Sequence, residues 1–191
     1  SVSTMVLAPP ASPVSTLMVR PRPSRVVFTQ WPLVVAVTVG GSEAIFFALS
    51  AVCDPGDEIL VREPFYANYI AFAAMISAKV VPIPASIDAE FRLPSREEIS
   101  GYITPRTKAI LYISPENPTG VVYDRGELET FRELAERFGL YLIADEVYRE
   151  FIYDDHVSFT SVLDLEGFEE HAILIDSISK RFSSCGARIG S

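Results

Sequence analysis

The sequence predicts a single α/β domain with a mostly parallel sheet, and three observations predict it. The chain has 191 residues, 49% of them apolar and 21% charged, enough for one medium domain with a substantial core. From residue 33 onward, short β-branched apolar runs alternate with helical patterns, the texture of a parallel sheet with crossover helices. Polar residues cluster just beyond several runs, at the strand ends where open α/β sheets bind ligands.

The elements follow in order. Residues 1–42 contain no Asp or Glu, and Pro9, Pro10, Pro13, Pro21, Pro23 and Pro32 interrupt any periodicity. Residues 1–32 are therefore expected to form a separate Pro-rich segment, extended or poorly ordered. A Val-rich run at 33–39 predicts the first strand, and Gly40-Gly41 punctuates it before an apolar helix at 42–52. Further strands are predicted at 58–61, 79–83, 109–114, 141–144 and 172–177, with a helix at 65–77 between the second and third. The helix at 127–138 has the fullest signature. Asp124 and Glu127 form a capping box, Leu128, Phe131, Leu134, Ala135 and Phe138 share one face, and Gly139 ends it.

A formal charge of -9 argues against duplex nucleic acid as a partner. No stretch approaches the roughly 20 apolar residues needed to cross a bilayer, and no basic segment leads into an apolar run near the start, so a soluble, non-membrane protein is expected. Cys53 and Cys185, with His156 and His171, have neither zinc-site spacing nor a disulfide framework. A reducing, cytoplasmic setting is the expectation.

Four runs end in residues capable of chemistry: Gly40-Gly41-Ser42-Glu43 after the first, Asn117-Pro118-Thr119-Gly120 after 109–114, Asp145-Glu146-Val147-Tyr148 after 141–144, and Ser179-Lys180 after 172–177. The Gly-Gly turn opens a helix whose free amides suit a phosphate, although such turns also serve structure alone. It is neither G-x-G-x-x-G nor a P-loop. Of the three lysines, Lys79 and Lys108 precede their strands and Lys180 follows one, so Lys180 is the candidate amine; alone it would read as a surface charge. Arg188 could supply a guanidinium fork for a phosphate or pair at the surface. Asp145, at the foot of a cleft, calls for a cationic partner such as a protonated ring nitrogen. No third carboxylate or His stands near Asp145 and Glu146, which argues against a metal.

Taken together, Gly40-Gly41-Ser42-Glu43-Ala44, Asn117-Pro118-Thr119-Gly120, Asp145-Glu146-Val147-Tyr148 and Ser177-Ile178-Ser179-Lys180 with Arg188-Ile189-Gly190 resemble, in order and spacing, the fold type I pyridoxal-phosphate-dependent aminotransferases of class I/II, the aspartate aminotransferase-like enzymes. The resemblance spans residues 33–190. It implies a three-layer α/β/α large domain over residues 33–191, apparently truncated, with no small C-terminal domain. It further implies that pyridoxal 5'-phosphate is the cofactor, that Lys180 forms its Schiff base and serves as general acid and base, and that Asp145 pairs with the pyridine nitrogen. By the same resemblance Asn117 and Tyr148 hydrogen-bond the ring's phenolic oxygen, and Tyr66 stacks on the ring, though it would also suit a core. Gly41, Ser42 and Glu43 through their backbone, with Ser177, Ser179 and Arg188, would cradle the phosphate.

Amino acids and 2-oxo acids are the implied substrates, and a homodimer is the implied assembly of the full-length enzyme. No residue here matches the arginine that grips the substrate carboxylate in the family, and residues 1–32 do not match its N-terminal segment. Two other readings therefore stand beside an aminotransferase: a non-catalytic cofactor-binding fragment or remnant, and a related pyridoxal-phosphate-dependent lyase. An incomplete sheet would also expose apolar surface and favour association.

Overall fold

The computed structural model describes residues 35–191. The expectation for residues 1–32 lies outside them. The chain divides into two units, residues 1–37 and 38–191, and the architecture that follows is that of the second.

Five parallel strands form one sheet: β1 (Glu58–Arg62), β2 (Lys79–Ile83), β3 (Thr107–Ile113), β4 (Tyr141–Asp145) and β5 (Ala172–Ile175), in the order β2-β1-β3-β4-β5. Helix α1 (Gly41–Val52) precedes them, and α2 (Asn68–Met75), α3 (Arg96–Ser100), α4 (Arg125–Phe138) and α5 (Ile178–Arg181) connect or follow them.

Side-chain alternation along the strands sorts the core into two layers. Ala109 and Leu111 of β3 face one way, with Ile59, Val61 and Ile143, onto Ala44, Ala48 and Leu49 of α1 and Tyr69 and Ala73 of α2. Ile110 and Tyr112 face the other way, with Leu60, Leu142 and Ala144, onto Leu128, Phe131 and Leu134 of α4. Strands buried on both faces read as continuous apolar runs, as parallel sheets require. The result is the three-layer α/β/α arrangement.

Helix α4 keeps its expected boundaries to within two residues. Asp124 Oδ1 accepts from the Glu127 amide at 2.8 Å, Glu127 Oε2 accepts from the Asp124 amide at 3.0 Å, and Gly139 ends the helix at φ 65°, a conformation in which glycine carries no Cβ penalty. Helix α2 starts later than predicted, at Asn68; the chain enters it through a turn over residues 66–69 in which the Tyr69 amide bonds to Tyr66 O at 3.0 Å. The first predicted strand needs correction. Thr38 makes only an isolated antiparallel bridge, exchanging bonds of 2.8 and 3.1 Å with Gly190, so this run pairs with the segment after α5 instead of joining the parallel sheet. Among the described residues no helix is long and apolar enough to cross a membrane, and no cluster of His, Cys, Asp or Glu could hold a metal ion.

Candidate active site

The chain runs from β1 outward to β2, then returns to lay β3 on the other side of β1. Strand order therefore reverses between β1 and β3, and a crevice opens beyond their carboxyl ends, where open α/β sheets place ligands. The loop after β1 brings Tyr66 to this crevice, the loop after β3 brings Asn117, the end of β4 brings Asp145 and Tyr148, and α5 brings Lys180. Together they line a cavity of about 310 Å³, the size of a small-molecule site. Another cavity, of about 340 Å³, lies where β3 begins and α4 ends, beside Thr107 and Phe138, and shares none of these groups.

Asp145 stands at the floor of the crevice, with 3% of its surface exposed. Its Oδ2 accepts from the Tyr69 hydroxyl at 2.8 Å and its Oδ1 from the Val147 amide at 3.3 Å. Burial pushes its pKa up to about 6, against the two hydrogen bonds that favour the charged form, and nearby Asp176 adds to the rise. No Lys or Arg makes an ion pair with it among the described residues, although Lys180 lines the same cavity. Tyr69 is fully buried, and burial followed by the charge of Asp145 raises its pKa well above the ordinary value, so it stays a donor. Lys180 Nζ lies 5.6 Å from the centre of the Tyr148 ring. Ser177 begins α5 as its cap, its Oγ accepting from the Ser179 amide at 3.1 Å and donating to Ile189 O at 3.1 Å.

At the other end of the cavity, Gly40 adopts φ 83° and caps α1, so Gly41 and Ser42 open the helix with amides that have no intrahelical acceptor. Arg188 holds φ 52°, a left-handed conformation uncommon for a side-chain-bearing residue. Its guanidinium folds back over this turn, donating to Val39 O and Cys185 O at 3.3 Å each, and a Cβ on Gly40 would collide with it. Ser179 Oγ is buried and has no hydrogen-bond partner among the described residues. Helix amides, a guanidinium and an orphaned hydroxyl in one lining fit a phosphate dianion, and a buried carboxylate without an ion-pair partner fits a protonated ring nitrogen. The donor set thus fits a phosphorylated pyridine cofactor.

Gly41, Ser42, Tyr66, Asn117, Asp145, Tyr148, Ser177, Ser179, Lys180 and Arg188 all line the cavity. Glu43 does not. Its amide bonds to Gly40 O at 3.1 Å and its carboxylate accepts from the Val39 amide at 2.6 Å, so it braces the turn from outside the cavity. Sequence reasoning missed Ile45, Ile113, Val147 and Cys185 in the lining. It also missed Tyr69, whose spacing of three from Tyr66 was a usable signal that both face one way.

The sequence profile described as aminotransferase class I and II matches residues 32–191. An aspartate aminotransferase of Thermotoga maritima is 41% identical over 157 residues, which are 82% of this chain and 41% of that protein. An arginine–pyruvate transaminase of Pseudomonas aeruginosa is 37% identical over 82% of this chain and 39% of its own length. The crystal structure of an aromatic aminotransferase from Pyrococcus horikoshii superposes with a TM-score of 0.77 at 35% identity, covering 81% of this chain and 41% of the other. The chain thus spans about two-fifths of the length of these relatives.

Proposed function

The chain belongs to the class I and II aminotransferase family, and from that premise we propose that it is the cofactor-binding part of a pyridoxal-phosphate-dependent aminotransferase, which moves an amino group from an amino acid to a 2-oxo acid. The observation that carries this reading is the convergence of an amine, a buried carboxylate and an anion cradle on one cavity at the strand switch point. When bound, pyridoxal phosphate supplies an aldehyde carbon that amines attack and a protonated ring that takes up an electron pair.

The protein's own groups would do the rest. Gly41 and Ser42 through their amides, with Ser177, Ser179 and Arg188, would hold the phosphate; Glu43 acts one step back, by fixing the turn. Asp145 would hold the proton on the ring nitrogen, with Tyr69 keeping the carboxylate oriented. Asn117 and Tyr148 would donate to the phenolic oxygen, and Tyr66 would cover the ring face. Lys180 Nζ would anchor the aldehyde carbon and, once displaced by a substrate amine, carry a proton from the substrate's α-carbon to the cofactor carbon. Residues 33–191 would then form the cofactor-binding large domain, and the apolar side chains exposed at Ile70, Met75 and Phe182 suit association with a second copy or with further polypeptide.

The test mixes the cofactor-loaded chain with aspartate, arginine or phenylalanine in turn and identifies the products by mass spectrometry. The expected result is a 2-oxo acid and aminated cofactor in equal amounts from at least one donor. Release of ammonia with an unsaturated product would support a lyase instead. Firm cofactor binding without turnover of any donor would support the non-catalytic fragment.

A further inference from the structure

Arg62 ends β1 and Glu116 follows β3, and their side chains meet in an ion pair of 2.9 Å with only 1% and 2% of their surfaces exposed. The pair belongs to a closed polar network. Arg62 Nε donates to the Tyr123 hydroxyl at 2.6 Å, and that hydroxyl donates onward to Glu116 Oε1 at 3.3 Å. Arg62 Nη1 donates to Glu63 O at 2.9 Å, and the Thr119 hydroxyl donates to Glu116 Oε2. An apolar pair of similar volume would hold two strands together at least as well, since desolvating two charges cancels most of their attraction. What charged hydrogen bonds add is direction.

The location of the network gives that direction a use. Glu116 precedes Asn117, and its backbone is also tied, with its amide on Val121 O and its carbonyl accepting from the Gly120 amide, both at 2.8 Å. Glu63, held through its carbonyl, opens the turn that carries Tyr66. The two loops at the switch point, one bearing Asn117 and the other Tyr66, are thus joined by one buried guanidinium that lies outside the cavity lining.

We propose that Arg62, Glu116 and Tyr123 are positioning residues that set the Asn117 amide against the phenolic oxygen of the bound cofactor and so tune its proton affinity. This deepens the reading above and rests on it. A hydrogen bond from Asn117 favours the deprotonated oxygen. Letting the loop drift weakens that bond, so the cofactor holds its proton to higher pH.

The experiment loads the full 191-residue chain with pyridoxal phosphate and follows the bound cofactor's visible absorbance against pH. It compares wild type, Glu116→Gln, the apolar pair Arg62→Met/Glu116→Leu, Asn117→Ala, and the apolar pair combined with Asn117→Ala. The apolar pair is chosen to keep the fold, which thermal melting verifies. The expected result is an upward midpoint shift of about one pH unit, a tenfold change in proton affinity, in the apolar pair, with a smaller shift in Glu116→Gln and the combined variant at the midpoint of Asn117→Ala alone. A folded apolar pair with the wild-type midpoint, or shifts that add to that of Asn117→Ala, would overturn the proposal. If wild type forms no visible band, the cofactor reading itself fails. Hydrogen exchange at the Gly120 amide separates the two failures: faster exchange in the apolar pair supports the network's hold on the Asn117 loop, and unchanged exchange overturns the positioning claim.

Discussion

Asp145→Ala is expected to lower the proton affinity of the bound cofactor's ring nitrogen by roughly 2–4 pH units, the equivalent of about 3–5 kcal/mol for removing one partner of a buried charge pair. Three features set this size. The carboxylate is 3% exposed, so little water can replace it. Among the described residues the cavity lining holds no other carboxylate, and nearby Asp176 is engaged by Arg149 and Arg181 at 2.9 and 2.7 Å. Finally, burial pushes its pKa up to about 6, so a bound cation recovers much of the cost of desolvating it. Tyr69→Phe should move the ring nitrogen the same way by less, because it removes one hydrogen bond of 2.8 Å and leaves the charge. Nuclear magnetic resonance of cofactor labelled at the pyridine nitrogen reads the shift directly. A ring that stays protonated at pH 8 in folded Asp145→Ala would contradict the assignment.

The second large effect concerns Glu146, which is fully buried and outside the cavity. Its carboxylate anchors the segment after β4, accepting from the Ser161 hydroxyl at 2.9 Å and the Val162 amide at 2.7 Å, with Arg149 at 3.9 Å. Burial pushes its pKa up to about 7, with Asp164 adding to the rise and the hydrogen bonds and Arg149 opposing it. A carboxyl whose pKa is higher folded than unfolded binds its proton preferentially in the fold. Its contribution to stability therefore grows as pH falls from about 7 and is complete below the ordinary value of 4.5, amounting to roughly 3 kcal/mol. Glu146→Gln should flatten this part of the profile, measured by urea unfolding at several pH values from about 8 to 4.5. Asp145 adds a slope of the same sign over a lower window in the cofactor-free protein, so the comparison is between Glu146→Gln and its parent under matched loading. Identical slopes in the two proteins would refute it.

Local chemistry made much of this legible in the sequence. The capping box at Asp124 and Glu127 and the stop at Gly139 delimited α4 because each acts within one helical turn. Three of the four polar clusters converge on one cavity because they follow β3, β4 and β5, parallel strands that align their carboxyl ends at the same edge. What escaped depends on partners far along the chain or on very short elements. Arg62 and Glu116 are 54 residues apart and Tyr69 and Asp145 are 76 apart, separations that no periodicity connects. Helix α5, which presents Lys180, has only four residues, too few to show a period. Helix α3 carries a full capping box at Ser95 and Glu98, a signal overlooked because only five residues follow it. The run at 33–39 shows the opposite failure: its β-branched composition marks extended chain, but composition does not say that Thr38 will pair with Gly190.

The central claim is that Lys180 is the amine poised on the cofactor. The most direct measurement is to mix the chain with pyridoxal phosphate, reduce with borohydride, and map the modified lysines by peptide mass spectrometry. The account predicts a stoichiometric adduct on Lys180, little on Lys79 or Lys108, and none in folded Lys180→Ala beyond that background. Modification spread evenly over the three lysines, or undiminished in Lys180→Ala, would contradict it.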